Sequence, residues 1–543
     1  MTHSVGGPLA NADYDWIIIG SGFGGSVSAL RLSEKGYRVL VIEKGKRFEP
    51  QDFPKTNWDL KRWMWMPQLG LKGIFQMSFM EHVTILHGVG VGGGSLTYAN
   101  TLPTPKEGFF QARSWSHLSE SWEAELAPHY KTAKRMLGAA ENPIMTHGDR
   151  VLEGIAADMG RSEHFHPTEV AVFFGKPGKV VPDPYFDGKG PDRVGCTYCG
   201  ACMTGCRVGA KNTLDRNYLY LAERLGMTLK AETEVTAVRA QEAGGGYVVE
   251  CKQGQRGKSQ TLTAEHVIFS GGVMGTLPLL LKMKTDPNGL PWLSDRVGDR
   301  VRTNSESLVG VITPDSSKDL SKGVAITSIL HTDEHSHLEP VRYGSGSGFF
   351  RTMILPFVEG DTLAKRVRRT AMALIKQPRT WFKAYTVKDF AKHTQILLYM
   401  RTLDETLSMR LGRTPFNGFT KGLKTVLDDP ASAPKAFMAE ASDLTRRFVE
   451  RTKGVAGTMV TQTLLGTPST AHILGGAAMG RDASEGVIDT QHRVFGYDGL
   501  YVIDGSSVSA NPGVNPSLTI TALAERAMSF VPAKGTATER QEE

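Results

Sequence analysis

Several residues of this 543-residue chain stand where their types and spacing could do chemistry. Gly20-Ser21-Gly22-Phe23-Gly24-Gly25 follows the apolar run Tyr14-Asp15-Trp16-Ile17-Ile18-Ile19. In such a turn Gly20 permits the bend, Gly22 lets the backbone approach a pyrophosphate, and Gly25 lets the following helix pack closely. Glu43 closes the next apolar run, Tyr37 to Ile42, at the offset where a carboxylate accepts from both hydroxyls of an adenosine ribose. Cys196, Cys199, Cys202 and Cys206 fall as C-x2-C-x2-C-x3-C, the spacing of a bacterial ferredoxin cluster. Arg207 rather than proline follows them and no second run supplies a partner cluster, so zinc ligation and packed or redox-reactive thiols stand beside the iron–sulfur reading. Near the end, Ala471-His472-Ile473-Leu474-Gly475-Gly476 sets one histidine in a small-residue turn, and Asn511 to Ser517 forms an Asn-Pro turn at the start of a last helix.

The elements that must position these groups follow from periodicity. Tyr14–Ile19 is a buried strand, Ser26 onward a helix capped at Gly36, and Tyr37–Ile42 a second parallel strand. A helix from Asp215 to Leu225 precedes strands at 227–229, 234–238, 247–251 and 266–270, then a helix near 277–284, which together read as a return to the nucleotide-binding unit. Gly499 to Ile503 is a buried strand with Asp504 at its tip. From 310 to about 466, alternating runs such as Val324–Leu330 and Gln395–Met400 predict an antiparallel sheet with one face on a core or ligand.

Between these lie segments with more than one reading. Asn57 to Met80 is rich in tryptophan, phenylalanine and methionine, and predicts either a core-packing helix pair or a lid over an apolar pocket. The glycines of His87-Gly88-Val89-Gly90-Val91-Gly92-Gly93-Gly94-Ser95 bring the backbone close to a ligand. A helix is expected over Ser121 to Leu137. At 362–377, Lys365, Arg366, Arg368, Arg369 and Lys376 accompany Leu363, Val367, Ala371, Leu374 and Ile375 on one helical face, ended by Pro378. That pattern suits either an anionic membrane surface or a solvated helix packed on its own protein.

Composition narrows the class. The chain is 40% hydrophobic and 22% charged, as soluble globular proteins are, with a net charge of +7. No apolar run reaches the ~18 residues of a membrane span, and the opening residues carry no signal-peptide pattern, so a cytoplasmic protein is expected, with membrane association through the basic helix. No zinc-finger or RNP motif accompanies the positive charge, which argues against nucleic acid as a partner. Five cysteines are not a disulfide framework for a protein this size.

The set GSGFGG, GVGGGSL, HILGG, YVIDGSSV and GVNPSLTITALAER resembles the glucose–methanol–choline (GMC) oxidoreductases, and most their cholesterol-oxidase branch. What the resemblance implies is an α/β fold: a split Rossmann-like FAD domain (10–108, 206–309, 466–535) and an α+β substrate domain on an antiparallel sheet (109–205, 310–465), with a disordered tail at 536–543. FAD would be non-covalent, since no histidine lies from Gly88 to Asn100. Gly20, Gly22, Phe23, Gly25, Glu43, Gly92, Gly94, Ser95, Tyr98, Val235, Asp504, Gly505 and Ser517 are the expected cofactor-binding residues. His472 would face flavin N5 and the substrate carbinol, taking its proton or holding its oxygen, with Asn515 as its partner and a hydrogen-bond donor to that oxygen. The implied reaction is oxidation of a bulky apolar alcohol, a 3β-hydroxysterol such as cholesterol, with peroxide formation. Relatives that also shift the ring double bond use a glutamate; the matching position falls near Ser328, with Glu334 and Glu339 close by. Other readings are a dehydrogenase passing electrons to a non-oxygen acceptor, and a non-catalytic redox sensor or membrane-docked binding protein that holds FAD.

Overall fold

The computed structural model describes residues 12–241, 245–254 and 257–536, so the chain start and the expected tail beyond Thr536 lie outside the described residues. The opening run folds as the strand Tyr14–Ile19, the helix Phe23–Glu34 and the parallel strand Val39–Ile42. Ile17, Ile18, Leu40 and Val41 are fully buried, as strands covered on both faces must be. Close approach explains two of the glycines. A Cβ on Gly25 would lie 2.1 Å from Gly20 O, and one on Gly24 1.8 Å from Ile503 O, so the first helical turn sits directly on strand ends.

Those strands belong to a seven-stranded sheet in the order Thr228–Lys230, Val39–Ile42, Tyr14–Ile19, Ser259–Phe269, Tyr247–Gln253, Thr233–Ala240, with Leu500–Val502 also pairing with Ser259–Phe269. Ile42, Ile19, Phe269 and Val502 are register neighbours on parallel strands. The residues that follow them therefore emerge along one carboxyl edge, where open α/β sheets bind ligands. The last helix, Ser517–Ser529, packs on Phe23–Glu34, and Arg31 donates to both oxygens of Glu525 across the pair.

A second seven-stranded sheet is antiparallel throughout: Ile354–Pro356, Val455–Met459, Glu306–Ile312, Thr394–Arg401, Ser336–Val341, Ser328–His331 and Phe165–Pro167. Its side chains alternate. Leu338, Leu397 and Tyr399 pack beneath the helices His147–Asp158 and Ala439–Thr452, while Leu308, Ile396 and Leu398 point to the opposite face. The architecture is thus α/β, a Rossmann-like unit joined to an α+β unit built on an antiparallel sheet.

Three local expectations change. Asn57 to Met80 is not a helix pair: after the short helix Leu60–Trp63 come the strands Trp65–Met66, Leu71–Lys72 and Phe75–Phe79, the last pairing with Thr84–Gly88. Pro67, Gly70 and Gly73 interrupt helical continuity there, and Trp63 stacks on Phe75 at 4.6 Å instead. The run from Val324 is strand only over Ser328–His331, with Ile326 making a single bridge to Val341. Pro378 ends the helix Leu363–Lys376 but also opens another, Pro378–Thr386, at whose first position its missing N–H costs nothing.

Candidate active site

One cleft runs from the carboxyl edge of the parallel strands to the open face of the antiparallel sheet. Gly20, Gly22, Phe23 and Glu43 line one end; Gly94, Tyr98 and Gly505 line the middle; Leu308, Ile326, Val341, Ile396 and Leu398 line the far end. The near end fits a dinucleotide. A Cβ on Gly22 would meet only Ser270 O, at 4.0 Å, which leaves the helix N-terminus open to an anion. Gly93 approaches so closely that its Cβ would fall 2.7 Å from Gly22 Cα, so the second glycine run lies against the first. Glu43 is steadied by donors from Ser21 N, Ser21 Oγ and Gly45 N at 3.1, 2.8 and 2.8 Å, with acceptor capacity left for ribose hydroxyls.

The other expected cofactor residues divide. Gly25 packs the helix on the turn rather than facing the cleft. Gly92 and Ser95 brace the glycine loop, Ser95 Oγ donating to Gly92 O at 2.7 Å and accepting from Leu214 N at 3.1 Å. Val235 does not line the cleft: it pairs with Cys251 in the antiparallel part of the first sheet and packs against that core. Asp504 lines the cleft, but protein donors occupy both oxygens: Gly272 N and Thr276 Oγ1 on one, Ser506 N and Ser506 Oγ on the other. It anchors the strand tip to the loop before the helix Val273–Thr285. Ser517 and Pro516 line the cleft where the last helix begins. Tyr98 is clamped by its hydroxyl on Asn212 O at 3.0 Å and by the buried Lys211 ammonium 4.6 Å from its ring centroid.

At the junction of the two ends stands His472. Its Nδ1 lies 3.0 Å from Glu306 Oε2. Glu306, at the start of the strand Glu306–Ile312, is 4% exposed, and its other oxygen accepts from Ala471 N at 2.9 Å and from Thr470 Oγ1. With Nδ1 facing a carboxylate, Nε2 is the nitrogen left for chemistry. Burial pulls the imidazole down, but the charges of Glu306 and then Glu339 outweigh it and hold His472 above its ordinary value. Asn515 partners Glu339 rather than His472: with its amide turned so that the NH2 faces the carboxylate, Nδ2 donates to Oε1 at 3.0 Å. Burial pushes Glu339 up to about 8, against the opposing pull of His472 and Asn515. Ser328, the residue matched to the isomerising glutamate, is elsewhere, donating to Asp149 Oδ1 in a buried polar cluster. Sequence reading missed Glu306 entirely: the acidic residue opening an apolar run is visible, but the turn that gives it a role lies far along the chain.

The four cysteines lie near one another, Cys199, Cys202 and Cys206 all bearing on Cys196. Among the described residues no group of three or more His, Cys, Asp or Glu side chains gathers to hold a metal. Cys196 is buried against Val170, Val172 and Ala210, whereas Cys199 is exposed. Burial, with the neighbouring thiols, pushes Cys196 up to about 12 and Cys202 to about 11. The four residues are free cysteines, three of them packed against a small apolar cluster.

A dinucleotide cradle opening onto an imidazole and an apolar sheet face defines a cofactor-dependent oxidoreductase. Family profiles described as GMC oxidoreductase match residues 190–299 and 413–524, and one described as an NAD(P)-binding Rossmann-like domain matches 18–48. A cholesterol oxidase of Acinetobacter baumannii is 44% identical, covering 98% of this chain and 97% of its own. One of Mycobacterium tuberculosis is 45% identical over 96% of this chain and 92% of its own. The pyridoxine 4-oxidase from Mesorbium loti shares the fold, with a TM-score of 0.60 at 15% identity, covering 95% of this chain and 99% of that one. The chain belongs to the GMC oxidoreductase family and is an FAD-dependent alcohol oxidoreductase.

The Glu306–His472 pair generates a pH prediction. A base must be unprotonated, and a raised pKa delays that form to higher pH. Glu306→Gln removes the charge that raises it, so the acidic limb of anaerobic flavin reduction shifts to lower pH, by about 1–3 units. An unchanged limb in the pH profile would refute the pairing.

Proposed function

We propose that this enzyme oxidises the 3β-hydroxyl of a sterol such as cholesterol to the ketone, with oxygen reduced to peroxide. The observation that carries this reading is His472, with Nε2 free, between a dinucleotide cradle and a cleft walled by Leu308, Ile326, Val341, Ile396 and Leu398. The similarity to two cholesterol oxidases supports it. Bound FAD supplies the hydride acceptor. His472 Nε2 takes the hydroxyl proton, Glu306 fixes the tautomer and stabilises the imidazolium, and the apolar walls exclude water from the carbinol. The FAD is held non-covalently in this reading, and segments 109–205 and 310–465 form the substrate part.

Glu339 is the base proposed for moving the ring double bond. A buried carboxylate whose proton affinity is raised toward neutrality can take a proton at carbon and return it. Asn515 holds it in place.

The helix Leu363–Lys376 supports peripheral contact of this cytoplasmic enzyme with an anionic membrane. Its inward side is the polar one: Arg366 and Thr370 are buried, and the Arg366 guanidinium donates to Gly360 O and Leu464 O. Leu363, Val367 and Ile375 turn outward, the last 76% exposed, joined by Phe382 at 70%. Arg368, Arg369, Lys376 and Arg379 are exposed around them. Apolar side chains flanked by cations are what an anionic lipid surface recognises. Among the described residues no helix is long and apolar enough to cross a membrane.

Three outcomes follow. Added without air, cholesterol bleaches the yellow flavin, and His472→Ala keeps the colour but bleaches about 10²–10⁴-fold more slowly; wild-type enzyme that stays yellow with every sterol would overturn the substrate. Glu339→Gln still makes ketone, but chromatography detects the unshifted double bond; normal isomer output removes Glu339 from that step. Vesicles containing phosphatidylserine sediment the protein where neutral vesicles do not, and Ile375→Glu with Phe382→Glu abolishes the difference.

A further inference from the structure

Behind Glu339 a row of imidazoles leads away from the cleft. His337 precedes Glu339 by two residues on the strand Ser336–Val341, so both side chains share a face. His337 Nε2 lies 3.6 Å from Glu339 Oε1, and both residues are fully buried. Directly opposite His337 on the strand Ser328–His331 is His331, the ring centroids 5.9 Å apart. The edge strand Phe165–Pro167 contributes His166, its ring 5.3 Å from His331 and exposed at the surface. Three adjacent strands thus carry rings that pass from fully buried through partly buried to solvent.

None of these rings serves the reaction described above; at the surface His166 Nδ1 donates to Pro167 O at 2.9 Å, but the two inner rings are not satisfied like packing histidines. Both nitrogens of His337 and Nδ1 of His331 are buried without a hydrogen-bond partner. Buried polar atoms almost always have partners, so consecutive orphan nitrogens mark positions for bridging water. Burial, with the nearby Lys106 ammonium, pulls His331 and His337 down to about 3 and keeps them neutral. His472 and His166 also bear on His337, His164 and His166 on His331, and Lys106 itself is tied to Asp333 O and Ser336 O at 2.7 and 2.9 Å. A neutral imidazole has one donor and one acceptor nitrogen, so it can take a proton on one while giving one from the other.

We propose that His337, His331 and His166, bridged by water, form a proton path between Glu339 and the protein surface. The path rests on alcohol oxidation at His472. In that step the carbinol C–H bond breaks with its electron pair leaving as hydride, the O–H bond breaks with its proton passing to His472, and the C=O bond forms. A bulky apolar alcohol filling the cleft shuts bulk water out, so this proton needs another exit. It passes by way of Glu339 to His337 and outward, each ring gaining one proton as it loses one, and ring rotation restores the starting tautomers. Forming peroxide from oxygen consumes the hydride and one proton, which the same path returns.

The test separates proton movement from hydride movement. In anaerobic single turnover followed with a pH indicator, His331→Leu bleaches its flavin at near the wild-type rate while proton release slows by about tenfold or more. The surface variant His166→Gln shifts release in the same direction, and added imidazole restores it in both. Should His331→Leu fail to fold, His166→Gln decides. Proton release in step with bleaching in the variants, or a lag that imidazole does not relieve, overturns the path, as does a matching loss of bleaching. Absence of bleaching in wild type would instead indict the substrate. The path is then read without substrate from solvent exchange of the His337 ring N–H by NMR, which His331→Leu slows; unchanged exchange overturns it.

Discussion

A carboxylate held out of water beside an imidazole is the constraint on which the rest of this molecule depends. Glu306 is almost wholly buried, and an unpaired buried charge is too costly to persist. His472 Nδ1 approaches one oxygen, while Ala471 N and Thr470 Oγ1 serve the other. The pairing ties two distant parts of the chain together, the antiparallel strand that begins at Glu306 and the turn that begins at Ala471. Their meeting orients the free nitrogen of the ring. Glu339 and Asn515 repeat the arrangement on the other side of the cleft with an amide in place of the imidazole. The different partners give the two carboxylates different duties, one orienting an imidazole and the other able to trade a proton near neutrality.

The cradle for the cofactor is built by proximity of backbones rather than by side chains. The turn at Gly20–Gly25 and the strand tip at Asp504 come from separate stretches, yet they meet at one carboxyl edge because Ile19, Phe269 and Val502 are in register, and the loop at Gly88–Gly94 is laid against that edge by the close approach of Gly93 to Gly22. Asp504 closes the assembly by taking every donor within reach and offering none of its own acceptor capacity to a ligand. Glu43 does the reverse, with capacity to spare.

How much of this was legible in the sequence depends on the range of the signal. Strand, turn, helix and Glu43 were readable because their meaning lies within thirty residues, and the helix Trp122–Met136 matches its periodicity within a residue or two of the expected ends. His472 was visible from its small-residue surroundings and the family pattern. Glu306 was not, because its role exists only through a turn far along the chain. Glu339 was named but not placed, since the register of Ser336–Val341 against its neighbours is a tertiary fact; the alternation His337-Leu338-Glu339 was the available clue. Aromatic residues between Asn57 and Met80 misled because tertiary stacking of Trp63 on Phe75 outweighs local helix preference.

The helix that turns its oily stripe outward and hides an arginine has one more consequence. Arg366 grips Leu464 O, in the short π-helical turn Thr461–Leu465, only a few residues ahead of His472. A surface element and the reacting imidazole are therefore fastened to the same brief length of backbone.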